Sequence, residues 1–133
     1  GKLNWKYTTD GQISGGAAWA NDPNKESKTV FVGSYDFFLH AIDTRSGDAV
    51  WKYESDNYIN GAIAIAGQSA IFGGCDGNLH FVNVSTGKAS NKIEIGTYIA
   101  SYAAVSGNMI FVGDYDGGFY GISMDENKII WKH

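Results

Sequence analysis

Two histidines at equivalent places in this sequence are the first residues that could do chemistry. His40 and His80 lie 40 residues apart, and imidazoles that recur in this way could share a metal ion. The third equivalent position is Tyr120, whereas a zinc site needs three or four convergent ligands. We therefore predict that these histidines bind no metal.

A short acidic segment, Asp114-Tyr115-Asp116-Gly117, has the beginning of a calcium-binding loop. Phe119 stands where such a loop requires glycine, and no suitably spaced glutamate follows to bind the ion with both oxygens. We interpret the segment as an acidic hairpin turn.

Covalent catalysis has little support in the sequence. No serine lies in a Gly-x-Ser-x-Gly elbow, and no glycine-rich phosphate loop is present. Cys75 is the only cysteine and shares a repeated turn position with Tyr35 and Tyr115, where it need not be reactive. The sequence does not favour an enzyme, and we predict no catalytic residue and no cofactor.

Composition limits the remaining classes of function. The 133 residues are 44% apolar and 14% aromatic with a formal charge of -4, which is typical of a folded chain. Ten basic residues against fourteen acidic ones leave no excess to neutralise a nucleic-acid backbone. The longest unbroken aliphatic run, 62–66, is far shorter than a membrane-spanning helix. We therefore expect neither a nucleic-acid partner nor a membrane span.

The elements that position these residues follow a repeat of about 40 residues. The matching series are Gly33, Gly73 and Gly113; Asp36, Asp76 and Asp116; Leu39, Leu79 and Phe119. From Trp5 to Trp51 the spacing is 46, so six residues are inserted between Trp19 and Thr29. The inserted segment is polar and contains the single proline, as expected of a lengthened surface loop.

Each repeat contains short apolar runs separated by hairpin-turn residues, with no helical periodicity. In the third repeat we predict strands over 99–106, 109–114, 118–123 and 128–133. Lysines recur beside the tryptophan position of the fourth strands, which is typical of a solvent-facing edge. The sequence thus predicts an all-β fold of four-stranded antiparallel propeller blades. We place an extra outer strand at 1–8 and blades at 9–54, 55–94 and 95–133.

The repeat also resembles that of a known family. The runs 32–36, 39–47 and 51–53 are similar to the repeat of pyrroloquinoline-quinone-type β-propellers, whose pattern is Ala, any residue, Asp, three residues, Gly, three residues, Trp. Ala41, Asp43, Gly47 and Trp51 match it fully, and the later repeats match in part. The segment 1–7 looks like the last strand of a preceding blade. The resemblance covers essentially the whole chain and implies a quinoprotein-like propeller.

The motif residues have a structural interpretation. Asp43 can accept backbone N–H groups of its turn, Gly47 can supply a positive φ, and the family's tryptophan docks on the next blade. We assign this role to Asp43, Gly47, Trp51, Trp5, Gly87 and Trp131. Asn91 replaces the tryptophan in the middle repeat, so we expect a weaker contact there, which an Asn91→Trp substitution would strengthen.

Recognition is the function that remains. In a propeller, the turns joining second to third strands and fourth to first strands emerge on one face. Tyrosines interleaved with carboxylates there would form a mixed surface suited to binding. We predict a recognition face that contains Tyr35, Asp36, Tyr58, Asp76, Tyr98, Tyr115 and Asp116.

The family includes dehydrogenases, scaffold lipoproteins and sensor domains, so the resemblance implies several functions. Its dehydrogenases use a vicinal cysteine pair and a carboxylate-rich calcium site, and Cys75 alone cannot form that pair. We predict a non-catalytic scaffold that binds a protein or peptide. The alternatives are a fragment of a quinoprotein dehydrogenase, which quinone and calcium titration would reveal, and an extracytoplasmic ligand-sensing domain. The family is commonest outside the cytoplasm, which indicates a periplasmic or secreted location.

Three blades are too few to close a ring, since propellers have about four to eight. The chain is therefore expected to be part of a longer propeller, or half of a six-bladed ring formed by a homodimer. In the dimer, segments 1–7 and 128–133 would compete for one outer-strand position.

Overall fold

Each repeat folds into one four-stranded antiparallel sheet, and no helix is present. The computed structural model describes all 133 residues. The first blade contains β1 (Ala18–Asn21), β2 (Lys28–Gly33), β3 (Phe38–Asp43) and β4 (Ala49–Glu54). The second contains β5 (Ala64–Ala66), β6 (Ser69–Gly73), β7 (Asn78–Asn83) and β8 (Ala89–Glu94). The third contains β9 (Ala104–Ser106), β10 (Met109–Gly113), β11 (Phe119–Ser123) and β12 (Lys128–Lys132). The predicted propeller blades are confirmed, and the three sheets do not close into a ring.

The first strand of the third blade is shorter than the apolar pattern predicts. The run predicted as a strand at 99–106 pairs with β10 only over Ala104–Ser106. Its beginning belongs to the connection between blades, because the N–H of Ile99 donates to the carbonyl of Gly74 in the preceding blade. Residues 1–8, predicted as an outer strand, are not paired in any sheet. The structure contains no helix with the length and apolarity needed to cross a membrane.

Buried aliphatic and aromatic side chains fill the two spaces between the blades. Phe31, Leu39 and Phe72 lie between the first and second blades, and Leu79 and Ile110 lie between the second and third. Each space thus receives side chains from both of the sheets that border it. Removing these side chains from water is the main contribution that holds neighbouring blades together.

A tryptophan also fastens the first blade to the second at the outer edge. Trp51 lies so close to Gly87 that a Cβ there would be 2.6 Å from the indole Cδ2. The Trp51 Nε1 donates to the carbonyl of Val84 at 3.1 Å. Trp5 repeats the arrangement on Gly47, where the corresponding separation would be 2.7 Å. Residues 1–8 therefore contact the first blade in the way that β4 contacts the second.

The contact between the second and third blades is built differently. Asn91 replaces the tryptophan, and Asn127 replaces the glycine on which it would lie. The Asn91 Nδ2 donates to the Asn127 Oδ1 at 2.9 Å. Both members of the contact have changed, so a hydrogen bond between two amides stands in place of the packed indole.

Candidate functional site

The turns within blades and the connections between blades meet at one edge of the sheets. The N–H groups of Tyr35, Cys75 and Tyr115 each donate, at 2.9 Å, to a carbonyl in the adjacent connection. The acceptors are the carbonyls of Gln12, Tyr58 and Tyr98. We call this edge the blade-end face and define it as residues 8–17, 34–37, 54–62, 74–77, 94–103 and 114–118. Its repeated backbone hydrogen bonds position the side chains that it carries.

The predicted tyrosines come together there as two pairs. The rings of Tyr35 and Tyr58 stack with centroids 4.8 Å apart and planes 22° apart. The rings of Tyr98 and Tyr115 are tilted, with centroids 6.4 Å apart. Tyr58, Tyr98 and Tyr115 are 44%, 53% and 74% exposed. One aromatic pair therefore marks each of the two blade junctions.

Phe37 joins the first pair and was missed by the sequence reasoning. Its ring contacts that of Tyr58 edge-on, with centroids 5.3 Å apart, and is exposed. Its backbone has φ 78°, and the equivalent residues Gly77 and Gly117 also have positive φ. A bulky side chain in this conformation costs about 1 kcal/mol relative to glycine. The sequence could have revealed Phe37, because the other two repeats have glycine at the equivalent position.

Two of the predicted recognition residues turn inward instead of joining the tyrosines. The Asp36 carboxylate is 2.9 Å from His40 Nε2, and the Asp76 carboxylate is 2.7 Å from His80 Nε2. These aspartate side chains are only 10% and 4% exposed. Asp116 remains exposed, and its N–H donates to the Asp114 carboxylate. Asp36 and Asp76, two carboxylates of the predicted recognition face, are therefore engaged within the chain.

The histidines form part of a repeated buried unit. The hydroxyl of Tyr7 lies 2.9 Å from His40 Nδ1, and that of Tyr53 lies 3.1 Å from His80 Nδ1. With Nε2 donating to aspartate and Nδ1 accepting from tyrosine, both ring nitrogens are engaged. No group of three potential metal ligands comes together. In the third blade the unit changes, since Tyr120 donates its hydroxyl proton to Asp114 at 2.7 Å.

Local surroundings shift several pKa values. Burial lowers the pKa of His40, and the neighbouring Asp36 only partly offsets that effect. Burial opposes ionisation of Asp36 and Asp76, but hydrogen bonds from histidine and backbone N–H groups hold the pKa of both carboxyls below its usual value. Burial and the charge of Asp76 raise the pKa of Cys75, so the thiol stays protonated at neutral pH. The site thus presents aromatic surface and ionised carboxylates, without an activated nucleophile.

Comparison with known proteins supports the same architecture. The family model described as outer membrane protein assembly factor BamB matches residues 1–99. BamB from Moraxella catarrhalis superimposes with TM-score 0.77 at 19% identity, covering 98% of this chain and 39% of that protein. No curated protein matches the sequence.

Two computationally designed proteins also share the fold. Ika4 gives TM-score 0.82 at 17% identity, covering 100% of this chain and 79% of that one. Ika8 gives TM-score 0.74 at 18% identity, covering 91% of this chain and 36% of that one. The chain therefore spans well under half the length of BamB and Ika8, and most of the length of Ika4.

Proposed function

Because this chain belongs to the family described as outer membrane protein assembly factor BamB, we propose that it is a non-catalytic β-propeller module that binds a protein or peptide. The carrying observation is the pair of aromatic clusters on the blade-end face. Their rings are exposed, while the backbone that bears them is fixed by hydrogen bonds between blades. A rigid aromatic surface loses little conformational entropy when it binds, which favours recognition.

Phe37 adds support of a different kind. Phe37 has a left-handed backbone conformation, which destabilises the chain relative to glycine at this position. The exposed ring adds to the Tyr35–Tyr58 cluster. Strain of this sort is concentrated at functional sites.

Removing the exposed tyrosines is expected to abolish binding without unfolding the chain. Peptides would be selected from a phage-displayed library on the wild-type protein and then tested on the variant Tyr58→Ala/Tyr98→Ala/Tyr115→Ala. We expect affinity to fall by about 100-fold, since tyrosines that become buried on binding are among the strongest contributors at interfaces. The measurement is peptide affinity by fluorescence polarisation, with circular dichroism to verify the fold.

Two controls accompany this test. Trp19→Ala removes another exposed aromatic residue, one that lies on β1 beneath Lys28 and outside the blade-end face, and should leave affinity unchanged. Phe37→Gly should weaken binding without lowering the melting temperature, because it relieves strain. Equal affinity of the wild-type protein and the triple variant would refute the proposal.

We also propose that a second copy covers the open side of the third blade. On that side, the ring centroids of Phe111 and Phe119 lie 6.1 and 5.9 Å from that of Trp131. Phe119 and Trp131 are exposed. Ile59 and Ile99 fill the space over Gly33 and Gly73, whereas a Cβ on the equivalent Gly113 would have no neighbour nearer than 3.8 Å. Two copies would supply six blades. On closure, residues 1–8 and the partner's β12 would compete for the same outer position.

Light scattering tests this assembly. The wild-type chain is expected at about twice 14.4 kDa, and Phe119→Glu should shift it to a monomer, because a buried unpaired charge opposes association. Tyr115→Glu adds the same charge to an aromatic position on the blade-end face and should leave the dimer intact. A monomeric wild-type chain would contradict the dimer.

We further propose that the module works outside the cytoplasm. The description of the matching family refers to the outer membrane, and an exposed recognition surface is compatible with assembly work there. Cell fractionation of the natural protein would test the location, with a cytoplasmic enzyme and a periplasmic enzyme as markers. Recovery only with the cytoplasmic marker would contradict it.

A further inference from the structure

Charge is distributed unevenly between the two edges of the blades. None of the ten basic residues lies in the segments of the blade-end face. Eight of the fourteen acidic residues do lie there: Asp10, Asp36, Glu54, Asp56, Asp76, Glu94, Asp114 and Asp116. The six others lie at the opposite edge, where Lys25, Lys28, Arg45, Lys88 and Lys128 balance them. Only the edge that carries the aromatic pairs has a strong excess of negative charge.

Some of these carboxylates are already engaged within the chain. Asp36 and Asp76 hold histidines, and Asp114 accepts the Tyr120 hydroxyl. Asp56 is exposed and lies 3.6 Å from the ammonium of Lys92, which extends from the outer strand β8. Asp116 is exposed beside Tyr115. Asp56 is therefore partly neutralised by Lys92, whereas Asp116 forms no salt bridge, so a partner at the Tyr98–Tyr115 pair would meet aromatic rings and negative charge together.

The exposed carboxylates of the blade-end face can only accept hydrogen bonds when ionised, so they favour a partner that donates. Tyrosine rings attract organic cations through their negative faces, and exposed contacts of this type contribute about 0.5–1 kcal/mol each.

From the aromatic pairs and this charge asymmetry, we infer that the blade-end face binds an extended peptide segment rich in lysine or arginine. The inference rests on the proposed function and specifies the chemistry of its partner. The tyrosine pairs supply contact area at two successive blade junctions, and the carboxylates select positive charge. Guanidinium and ammonium groups can donate to the exposed carboxylates while lying over the rings.

Defined peptides test the charge preference directly. Short synthetic peptides of the same length, with serine alternating with arginine, glutamine or glutamate, would be titrated into the full chain by fluorescence polarisation. The arginine peptide is expected to bind about tenfold more tightly than the glutamine peptide, and its affinity should fall as salt increases. The glutamate peptide should bind most weakly.

A pair of matched variants separates local recognition from net charge. Asp56→Asn/Asp116→Asn removes two exposed charges beside the tyrosines and should weaken arginine-peptide binding by about tenfold. Asp48→Asn/Asp125→Asn makes the same change in net charge at the opposite edge and should change affinity by less than about twofold. The exposed positions of these residues allow both variants to fold.

The possible results distinguish this inference from the proposed function. Equal weakening by both variants, or equal binding of the arginine and glutamine peptides, would overturn the preference for cationic segments. If library peptides bind whatever their charge but still require Tyr58, Tyr98 and Tyr115, the proposed binding surface is supported and the preference for cationic segments is not. If neither library nor synthetic peptides depend on those tyrosines, both ideas fail.

Discussion

Replacing His80 with leucine is expected to destabilise the chain by about 3 kcal/mol at neutral pH, the scale for leaving a buried carboxylate without its hydrogen-bond donor. The Asp76 carboxylate is buried and lies 2.7 Å from His80 Nε2. Leucine fills much of the space but cannot donate to the carboxylate. Asp76 would then keep its bond from the Asn78 N–H while losing the partner that compensates its burial.

Acid should reduce this difference in stability. In the wild type, the pKa of folded Asp76 is below the unfolded value, so its contribution to stability is present above pH 3.8 and is lost as pH falls through the folded pKa. In His80→Leu, burial raises that pKa because the histidine is gone, and protonation relieves the buried charge. The stability gap between the two proteins is therefore expected to narrow from pH 7 towards pH 4.

Urea unfolding at both pH values measures the effect. Tyr53→Phe, which removes only the hydroxyl bonded to His80 Nδ1, should cost about 1 kcal/mol and show no such narrowing. The double variant Asp76→Leu/His80→Leu should recover part of the loss, since neither buried polar group remains. A gap that stays constant with pH would show that Asp76 carries no uncompensated charge in the variant.

The sequence carried more information about the fold than about the orientation of its polar groups. The 40-residue register predicted one blade per repeat because glycine and asparagine at tight turns leave a local mark in the sequence. The length of β9 could not be predicted, since Ile99 looks like a strand residue but bonds to the neighbouring blade. A hydrogen bond of this kind depends on how two blades pack.

The candidate site shows the same division. The placement of the tyrosines on one face followed from repeat positions and propeller geometry, whereas their stacking into pairs did not. The inward turn of Asp36 and Asp76 did not, because it requires histidine four residues later, and in the third repeat that residue is tyrosine. Phe37 could have been found by comparing repeats, since an aromatic residue at a glycine position must have a reason outside the turn.

The tryptophan contacts between blades give the second large effect. Trp51→Ala is expected to destabilise the chain by about 3 kcal/mol, near the lower end for truncating a packed tryptophan, because the indole is half-buried. It would remove the contact with Phe31 and the hydrogen bond to Val84. Asn91→Ala at the equivalent position should cost about 1 kcal/mol, the scale of a single hydrogen bond. Both values would come from urea unfolding.

Restoring tryptophan at 91 should work only together with a second change, contrary to the expectation from sequence alone. A Cβ at position 87 would be 2.6 Å from the Trp51 indole, and Asn127 has such a Cβ at the equivalent place. Asn91→Trp alone should therefore lower or leave unchanged the melting temperature, whereas Asn91→Trp/Asn127→Gly should raise it. The double-mutant cycle is expected to give a favourable coupling of about 1–3 kcal/mol. If the effects of the two substitutions were simply additive, the indole would not need glycine beneath it. The presence of asparagine at both 91 and 127 would then have another cause.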